Sequence, residues 1–298
     1  MTAGAAGTGR RPGGAASGDF AVLLPVYWGD TAEQVAAAFR SVTEDQELAP
    51  AEIVVVRDGP VGPALAALLD GLAARPDVSL LALPRGLGLA GALNAGLATC
   101  RFEVVARQDA DDLSVPRRFA RTVPLVASGE FDLVGAAMRE FAVDSASRVS
   151  YGRLRRYPLN EAEIRRTAKA VNPFAHPTVV TRRSLVLSAG GYRDFFHLED
   201  YDLWARLLQG GARAANLAEP LVNYRVSAAG WRRRGGLKTL RAEIRLQRAF
   251  LDSGFTSRRE WLRNLVARGA LELAPPAVLR AATHLRLPRF GSALQTTT

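Results

Sequence analysis

The sequence predicts an α/β protein built on a mostly parallel β-sheet that is flanked by helices. Strand and helix signals alternate from residue 20 to residue 138, which is typical of parallel strands joined through helices. Acidic residues directly follow two of these strands, at the edge where such sheets bind their ligands. The predicted strands cover residues 20–26, 53–56, 78–83, 102–106 and 131–136, and the predicted helices cover residues 31–42, 64–73, 90–99 and 116–127.

Local signals support the first of these elements. Residues 20–26 form an apolar run, and the β-branched residues 53–56 favour a strand. Asp30 and Glu33 have the spacing of a capping box, which favours a helix that begins near residue 31.

The second half of the chain has a weaker pattern, which becomes irregular from about residue 139. Residues 1–18 are rich in Gly, Ala and Ser, so we expect them to be disordered. The remaining predictions are strands at 179–181 and 214–218, a helix at 199–208, and a helical region at 237–287 that is broken at Pro275 and Pro276.

Composition limits the class of protein. The 298 residues are enough for one large domain with an appendage, and a hydrophobic content of 48% is normal for a globular core. Cys100 is the only cysteine, which excludes an intramolecular disulfide and fits a reducing compartment. No apolar run is long enough to cross a bilayer, and no secretory signal is evident. We therefore expect a cytoplasmic protein.

The chain is strongly basic, with a net charge of +10 and a pI of about 10.6. This charge favours polyanionic partners, namely nucleic acid, anionic lipid or phosphorylated substrates, and does not choose among them. The arginines are scattered, and neither a zinc finger nor an RNA-recognition aromatic motif is present. No nucleic-acid partner is therefore expected.

An acidic segment, residues 107–112, follows the predicted strand at 102–106. In an extended backbone residues two apart share a face, so Asp109 and Asp111 would point the same way. Two adjacent carboxylates repel each other unless a cation lies between them. Mg²⁺ or Mn²⁺ is the usual cation, and it readily carries a diphosphate as another ligand. The alternative is an ordinary polar turn after a strand.

Two further features lie at the ends of predicted strands. Asp58 follows the second strand and could accept hydrogen bonds from a nucleotide base or ribose, although, taken alone, it is better explained by an Asp-Gly turn. Residues 85–96 are glycine-rich and lead into a helix, which permits close approach of the backbone to a phosphate. The alternative is a flexible turn with close helix packing, since the spacing is not that of a Walker loop.

The predicted helix at 199–208 places one carboxylate on an apolar stripe. Asp200 shares that stripe with apolar residues three, four, seven and eight positions further on, which is costly for a carboxylate unless it has a partner or a task. Asp202 points elsewhere and can pair with Arg206, and Glu199 suits the start of a helix. We therefore expect Asp200 to have the functional role.

His176 could line a pocket or be an ordinary loop histidine. The chain has three histidines, so a histidine-rich metal site is not expected, and no nucleophile elbow is present. The C-terminal region predicts a basic amphipathic helix that could rest on anionic lipid or pack as a solvated helix on the domain. Its basic residues are Lys238, Arg241, Arg245 and Arg248, and the opposite apolar residues are Leu237, Leu240, Ile244 and Leu251.

The order of these motifs over residues 20–226 resembles the family 2 glycosyltransferases, which have the Rossmann-like GT-A fold. Leu24-Pro25-Val26-Tyr27 resembles the opening strand motif of the family, and residues 52–59 resemble its second strand. Asp109-Ala110-Asp111 resembles the D-x-D motif. Gly190-Gly191-Tyr192, followed by residues 199–204, resembles the acceptor-side block that carries the catalytic base.

The resemblance implies an inverting, metal-dependent enzyme of polysaccharide biosynthesis. It would move a sugar from a nucleotide-sugar donor, a UDP-sugar, to a hydroxyl of a saccharide or lipid-linked acceptor, with Mn²⁺ or Mg²⁺ on the diphosphate. Residues 19–236 would form the GT-A domain, with a nucleotide half at 19–138 and an acceptor half at 139–236, before a basic helical region at 237–298. The implied base is Asp200, the metal ligands are Asp109 and Asp111, the donor contacts are Pro25, Tyr27, Asp58, Arg85, Gly88, Asn94 and Asp109, and the acceptor-side residues are His176, Glu199 and Trp204.

The sequence also departs from the family pattern. Trp28 and Gly29 stand where a polar residue is common, and Arg57 stands where a second Asp is frequent. The Gln-x-x-Arg-Trp motif and the membrane spans of processive members are missing, which implies single transfers, and a peripheral position at the inner face of the plasma membrane remains open. The alternative functions are a nucleotidyltransferase, a basic nucleic-acid-binding protein and a non-catalytic sugar-nucleotide sensor.

Overall fold

The computed structural model of the protein describes residues 18–144, 146–226 and 237–272. The predictions for residues 1–17 and for Pro275 and Pro276 lie outside these ranges. Within them, one mixed sheet of nine strands forms the centre of the molecule.

The strand–helix alternation predicted for the first half is confirmed. Strands β1 to β4 are mutually parallel in the order β3-β2-β1-β4, and a connecting helix follows each of the first three. Tyr27 pairs with Asp58, and Asp58 pairs with Leu83, so the carboxyl ends of three strands are level. The elements are β1 (Phe20–Tyr27), α1 (Ala32–Val42), β2 (Glu52–Asp58), α2 (Pro63–Ala73), β3 (Val78–Leu83), α3 (Gly88–Thr99) and β4 (Val104–Arg107).

The second half is more regular than its sequence pattern predicted. The predicted strands at 179–181 and 214–218 and the predicted helix at 199–208 correspond to elements of the structure, and further strands and helices are present that the weaker pattern did not predict. The elements are β5 (Leu113–Ser114), α4 (Arg118–Ala127), β6 (Leu133–Val143), β7 (Val149–Arg155), α5 (Glu161–Ala168), a 3₁₀ turn (His176–Thr178), β8 (Val180–Arg182), α6 (Arg183–Ser188), α7 (Glu199–Gln209), β9 (Ala214–Arg225), α8 (Leu237–Asp252) and α9 (Arg258–Glu272).

The predicted strand at 131–136 corresponds to β6, but β6 does not pair with β4. Instead β8 lies between them, antiparallel to both. β9 runs parallel to β6 on its other side, and the two-residue strand β5 joins β9. The parallel first half therefore continues into a mixed second half.

Apolar layers pack on both faces of the sheet. Alternate residues of β1 point to opposite faces, as the twofold period of a strand requires. Phe20, Val22 and Leu24 belong to the layer that contains α1, α2 and α4, whereas Leu23 belongs to the layer under α3 and α7. At Gly96 of α3 a Cβ atom would overlap the side chains of Leu23 and Val56, so this glycine allows the helix to pack closely on the sheet.

The predicted capping box of Asp30 and Glu33 was wrong in detail. The capping box of α1 is formed by Thr31 and Gln34, each of which bonds the backbone N–H of the other at 3.3 Å. Asp30 instead accepts a hydrogen bond from the N–H of Tyr27 at 2.9 Å and closes the turn after β1. Glu33, the other residue of the predicted box, lies within the first turn of α1.

The basic helix α8 packs on the domain through a different face from the one predicted. Leu246 and Phe250 are buried against Phe195, Tyr201 and Ala205. Ile244, which was assigned to the apolar side, is 47% exposed, so this assignment was wrong. In the described parts of the chain, no helix is both long enough and apolar enough to cross a membrane.

Candidate active site

Asp58 at the end of β2 fastens the glycine-rich segment to the sheet. Its carboxylate accepts hydrogen bonds from the backbone N–H groups of Leu87 at 2.6 Å and of Gly88 at 2.9 Å. Gly88 has φ +76°, a conformation that favours glycine, and it begins α3 two residues before the predicted start. A Cβ atom on Gly59 would lie 2.6 Å from the backbone nitrogen of Gly86, so the two loops touch. The contact of Asp58 with a nucleoside stays a prediction.

A pair of hydrogen bonds joins α3 to the loop that precedes α7. The side-chain amide of Asn94 donates to the carbonyl of Tyr192 at 2.8 Å and accepts from its N–H at 2.8 Å. Gly191 has φ +68°, and a Cβ atom there would overlap the Asn94 amide. Asn94 therefore connects α3 to the loop before α7, and its contact with a donor stays a prediction.

The remaining predicted donor residues lie near the same edge of the sheet. Pro25 is buried in β1, two residues beyond Leu23, the last residue that pairs with β4. Tyr27 is half-buried beside the ring of Trp28, which is 77% exposed, and Arg85 is exposed in the loop after β3. Their contacts with a donor stay predictions.

The acidic segment after β4 is a turn, not an extended strand. β4 ends at Arg107, and the N–H of Asp112 bonds the carbonyl of Asp109 at 3.4 Å. The argument that an extended backbone aligns Asp109 and Asp111 was therefore wrong. The carboxylates of Asp109 and Asp111 nevertheless interact. Burial, followed by the charge of Asp109, raises the pKa of Asp111 to about 6.

Asp112 anchors this turn to the end of β9. Its Oδ1 accepts a hydrogen bond from the N–H of Arg225 at 2.7 Å, and the Arg225 side chain donates to the carbonyl of Asp111 at 2.8 Å. The second carboxylate oxygen of Asp112 is buried and has no hydrogen-bond partner. Burial, followed by the charges of Asp109 and Asp111, raises the pKa of Asp112 well above its usual value.

Two buried arginines, Arg107 and Arg118, contact the residues of the acidic turn and the segment that follows it. Arg107 is 4% exposed and forms an ion pair with Asp109. Arg118, which has no exposed surface, donates to the carbonyl of Arg107 at 2.6 Å, to Gln108 Oε1 at 2.6 Å and to Ser114 Oγ at 2.8 Å. Burial and the neighbouring charge of Arg107 lower the pKa of Arg118 to about 9. Neither arginine was predicted to contribute to the site.

Asp200 lies at the start of α7, where it is half-buried and held by two donors. Its Oδ2 accepts from the Asn172 side chain at 2.7 Å, and its Oδ1 accepts from the N–H of Tyr201 at 2.7 Å. Burial raises the pKa of Asp200 to about 6, while these hydrogen bonds and the charge of Arg107 oppose the rise. Asn172 has no sequence signal of its own and was not predicted.

The neighbouring carboxylates have different surroundings. Glu199 is buried, and burial together with the charge of Asp200 raises its pKa to about 7. Asp202 is 2% exposed and receives a hydrogen bond from Arg206 at 2.9 Å, which confirms the predicted pair. The sequence predicted that Asp200 alone would point inward from α7. In the structure Glu199 and Asp202 are also buried, and Asp200 is less buried than Asp202.

An aromatic cluster lies beside these acids. His176 Nε2 is 3.1 Å from the Tyr192 hydroxyl, and its ring centroid is 5.8 Å from that of Trp204. Burial and the charge of Arg107 lower the pKa of His176 well below 6.5, so its ring is neutral at pH 7. Trp204 has no exposed surface and packs beneath His176 and Tyr192.

Arg107 links the two groups of acids. Its charge contributes to the pKa values of Asp111 and Asp112 in the turn and of Glu199 and Asp200 at α7. The acidic turn and the start of α7 therefore face a common buried cation. Among the described residues, no group of three or more His, Cys, Asp or Glu side chains is arranged so that it could hold a metal ion.

Comparisons with known proteins identify the class of enzyme. Residues 21–189 match the family described as glycosyl transferase family 2. The amylovoran biosynthesis glycosyltransferase AmsE of Erwinia amylovora is 36% identical over 240 residues, which cover 79% of this chain and 88% of that protein. The chain therefore belongs to glycosyltransferase family 2 and is a glycosyltransferase, in agreement with the resemblance predicted from its motifs.

A further relative and two solved structures agree with this assignment. The Escherichia coli UDP-Gal:α-D-GlcNAc-diphosphoundecaprenol β-1,3-galactosyltransferase is 28% identical over 257 residues, covering 86% of this chain and 92% of that protein. Staphylococcus aureus TarS in complex with UDP-GlcNAc superposes with a TM-score of 0.64 at 13% identity, over 85% of this chain and 72% of that one. The mannosyltransferase PcManGT of Pyrobaculum calidifontis, in complex with GDP-Man and Mn²⁺, gives a TM-score of 0.59 at 18% identity, over 89% and 73% of the two chains. These likenesses establish the GT-A fold.

The hydrogen bond between Asn172 and Asp200 makes a prediction about acidity. Because this bond stabilises the ionised carboxylate, Asn172→Ala is expected to raise the pKa of Asp200 above about 6, by roughly one unit. Carboxyl ¹³C chemical shifts measured against pH would report the change. Asn160→Ala, which removes the N-cap of α5, is the control and is expected to leave the Asp200 titration unchanged. An unchanged or lowered pKa in Asn172→Ala would contradict the assigned hydrogen bond.

Proposed function

We propose that this enzyme transfers one sugar from a UDP-sugar, with inversion, to a hydroxyl of a saccharide or lipid-linked acceptor during the synthesis of a cell-surface polysaccharide. The observation that carries the proposal is that the acidic turn and the carboxylates of α7 meet around Arg107. The names of the Erwinia and Escherichia relatives support the substrate classes, since they specify amylovoran biosynthesis and a UDP-galactose donor with a diphosphoundecaprenol-linked acceptor. The enzyme would act at the cytoplasmic face of the membrane.

The donor would lie along the level carboxyl ends of β1 to β3. Asp58 would contact the uracil or ribose in addition to its two backbone partners, since a carboxylate offers about four acceptor positions. Gly88, at the start of α3, would allow close approach of the backbone to the diphosphate. The other residues that we assign to the donor are Pro25, Tyr27, Arg85, Asn94 and Asp109.

The residues of the acidic turn fit a divalent cation that the donor diphosphate helps to bind. Among the described residues, the Asp111 side chain has no hydrogen-bond or salt-bridge partner on another residue, and one oxygen of Asp112 is buried without a partner. Oxygen ligands suit Mg²⁺ and Mn²⁺, and such an ion takes its remaining ligands from phosphate and water. Asp111 would be the principal ligand, assisted by Asp109. The ion would supply Lewis-acid stabilisation of the departing nucleoside diphosphate.

Asp200 would act as the general base. With a pKa of about 6 its carboxylate is ionised at pH 7, and it is basic enough to accept a proton in the transition state. The acceptor oxygen would attack the anomeric carbon while its proton moves to Asp200, and the bond to the nucleoside diphosphate would break on the opposite face. Glu199 and the neutral ring of His176 would shape the acceptor side, with Trp204 supporting His176 from below.

The base assignment predicts that Asp200→Asn lowers the rate of transfer by at least about 100-fold while the affinity for the donor stays nearly unchanged. The asparagine keeps the shape of the side chain but cannot accept the proton. Transfer would be measured as release of nucleoside diphosphate and of glycosylated acceptor, and donor binding by calorimetry. Asp70→Asn, an exposed residue of α2, is the matched control. Equal losses of donor binding and of activity would count against Asp200 as the base.

The donor and metal assignments are tested by thermal shift with a panel of nucleotide sugars, with and without Mn²⁺. We expect one UDP-sugar to raise the Tm of the wild-type protein, and the rise to depend on the metal. In Asp111→Ala this metal-dependent rise in Tm should be lost, because the substitution removes the carboxylate that we assign as the principal metal ligand. In Asp70→Asn it should be kept. Stabilisation by a donor to the same extent without metal would contradict the metal site.

A further inference from the structure

Helix α8 holds the loop that leads into the catalytic helix. Phe195 of this loop is buried in a cluster with Leu246 and Phe250 of α8, and the same cluster includes Tyr201, the residue that follows Asp200. The next loop residues are a half-buried Phe196 and an exposed His197, with φ values of 41° and 65°. Two successive non-glycine residues in the left-handed region are uncommon and persist only where surrounding contacts enforce them.

Cationic side chains of α8 lie over the aromatic rings of this loop. Lys238 Nζ is 4.0 Å from the centroid of the Phe196 ring, and Arg245 Cζ is 5.2 Å from that of Phe195. Arg241 lies between them on the same face of the helix, three residues after Lys238 and four before Arg245. All three side chains are exposed. We call these three residues the α8 cations.

The α8 cations are not balanced by acidic partners. Among the described residues none of the three makes a salt bridge, whereas Arg248, one turn further along, pairs with Asp252 at 2.9 Å. A cation–π contact leaves the outward side of the charged group available to an anion. The unpaired charge is therefore concentrated at the end of α8 that lies over the loop before α7.

This charge lies over the loop that leads into α7, which carries the carboxylate that we assign as the base. Phe196 precedes Asp200 by four residues, so their Cα atoms are at most about 14 Å apart. The anion recognised there would belong to the acceptor and not to the donor, because the donor diphosphate is assigned to the acidic turn. A diphosphate on the anomeric carbon of the acceptor sugar would be separated from the attacking hydroxyl by one sugar ring.

From this arrangement, and resting on the proposed function, we infer that the α8 cations form a subsite for the phosphate groups of a diphosphate-linked acceptor. Lys238, Arg241 and Arg245 contact phosphate oxygens, while Phe196 orients Lys238 and Phe195 orients Arg245. The preferred acceptor is thus a sugar attached to a lipid through a diphosphate. A free oligosaccharide lacks the group that this subsite binds.

The subsite can be tested without the transfer reaction. A short-chain alkyl diphosphate, below its micelle concentration and without metal, would be titrated into the full chain by calorimetry. We expect the wild-type protein to bind it and Lys238→Ala and Arg245→Ala each to bind about 10-fold more weakly, since a charge-assisted phosphate contact is lost. Arg248→Ala is the matched control and should bind as the wild type does. Lys238→Arg and Arg245→Lys keep the charge and should keep most of the affinity.

Kinetics and vesicle binding separate this inference from its alternatives. The alanine variants should raise KM about 10-fold for a diphosphate-linked acceptor sugar and leave KM unchanged for the alkyl glycoside of that sugar. Unchanged affinity for the alkyl diphosphate, together with lost binding to phosphatidylglycerol vesicles, would overturn the subsite and assign the cations to the membrane. Absence of binding by the wild type would overturn it as well. Failure of the wild type to transfer sugar while the alkyl diphosphate still binds would count against the proposed function and leave the subsite standing.

Discussion

The ion pair between Arg107 and Asp109 is the interaction on which the candidate active site depends. A buried guanidinium is costly unless it is matched by negative charge, and removal of one partner would leave the other unpaired in a medium of low dielectric. Because Arg107 ends β4 at the centre of the sheet, its charge acts on the acidic turn that follows it and also on His176, Glu199 and Asp200. One residue thus links the acidic turn and the start of α7 electrostatically.

Hydrogen bonds from two side chains to the backbone hold the segments around the site together. Asp58 bonds the glycine-rich loop, and Asn94 bonds the backbone of Tyr192, 98 residues further along the chain. The peptide groups of Tyr192 that Asn94 bonds are partly buried and would be costly to leave without partners, whereas the N–H groups bonded by Asp58 are exposed. The elements that carry the proposed donor and acceptor residues are therefore connected by short hydrogen bonds, as a reaction between two bound substrates requires.

The sequence was sufficient for the first half of the fold because its signals are local. Apolar and β-branched strand segments, the glycine-rich helix start and the acidic strand end are each visible within a dozen residues. The insertion of β8 between β4 and β6 was not predictable in this way, since it depends on pairing between distant segments. For the same reason the tie between Asp112 and Arg225 and the support of Asp200 by Asn172 were missed, because each joins residues far apart in the chain.

The central claim is that the charge of Arg107 lowers the pKa of Asp200, the proposed base. The most direct measurement is the pH dependence of kcat for the wild type, Arg107→Lys and Arg107→Met, at saturating donor, acceptor and Mn²⁺. The wild type should lose activity as the pH falls through about 6, because Asp200 becomes protonated. In the folded Arg107→Met protein this acid limb should move to higher pH, while Arg107→Lys should keep it near that of the wild type. Identical acid limbs in all three proteins would contradict the account.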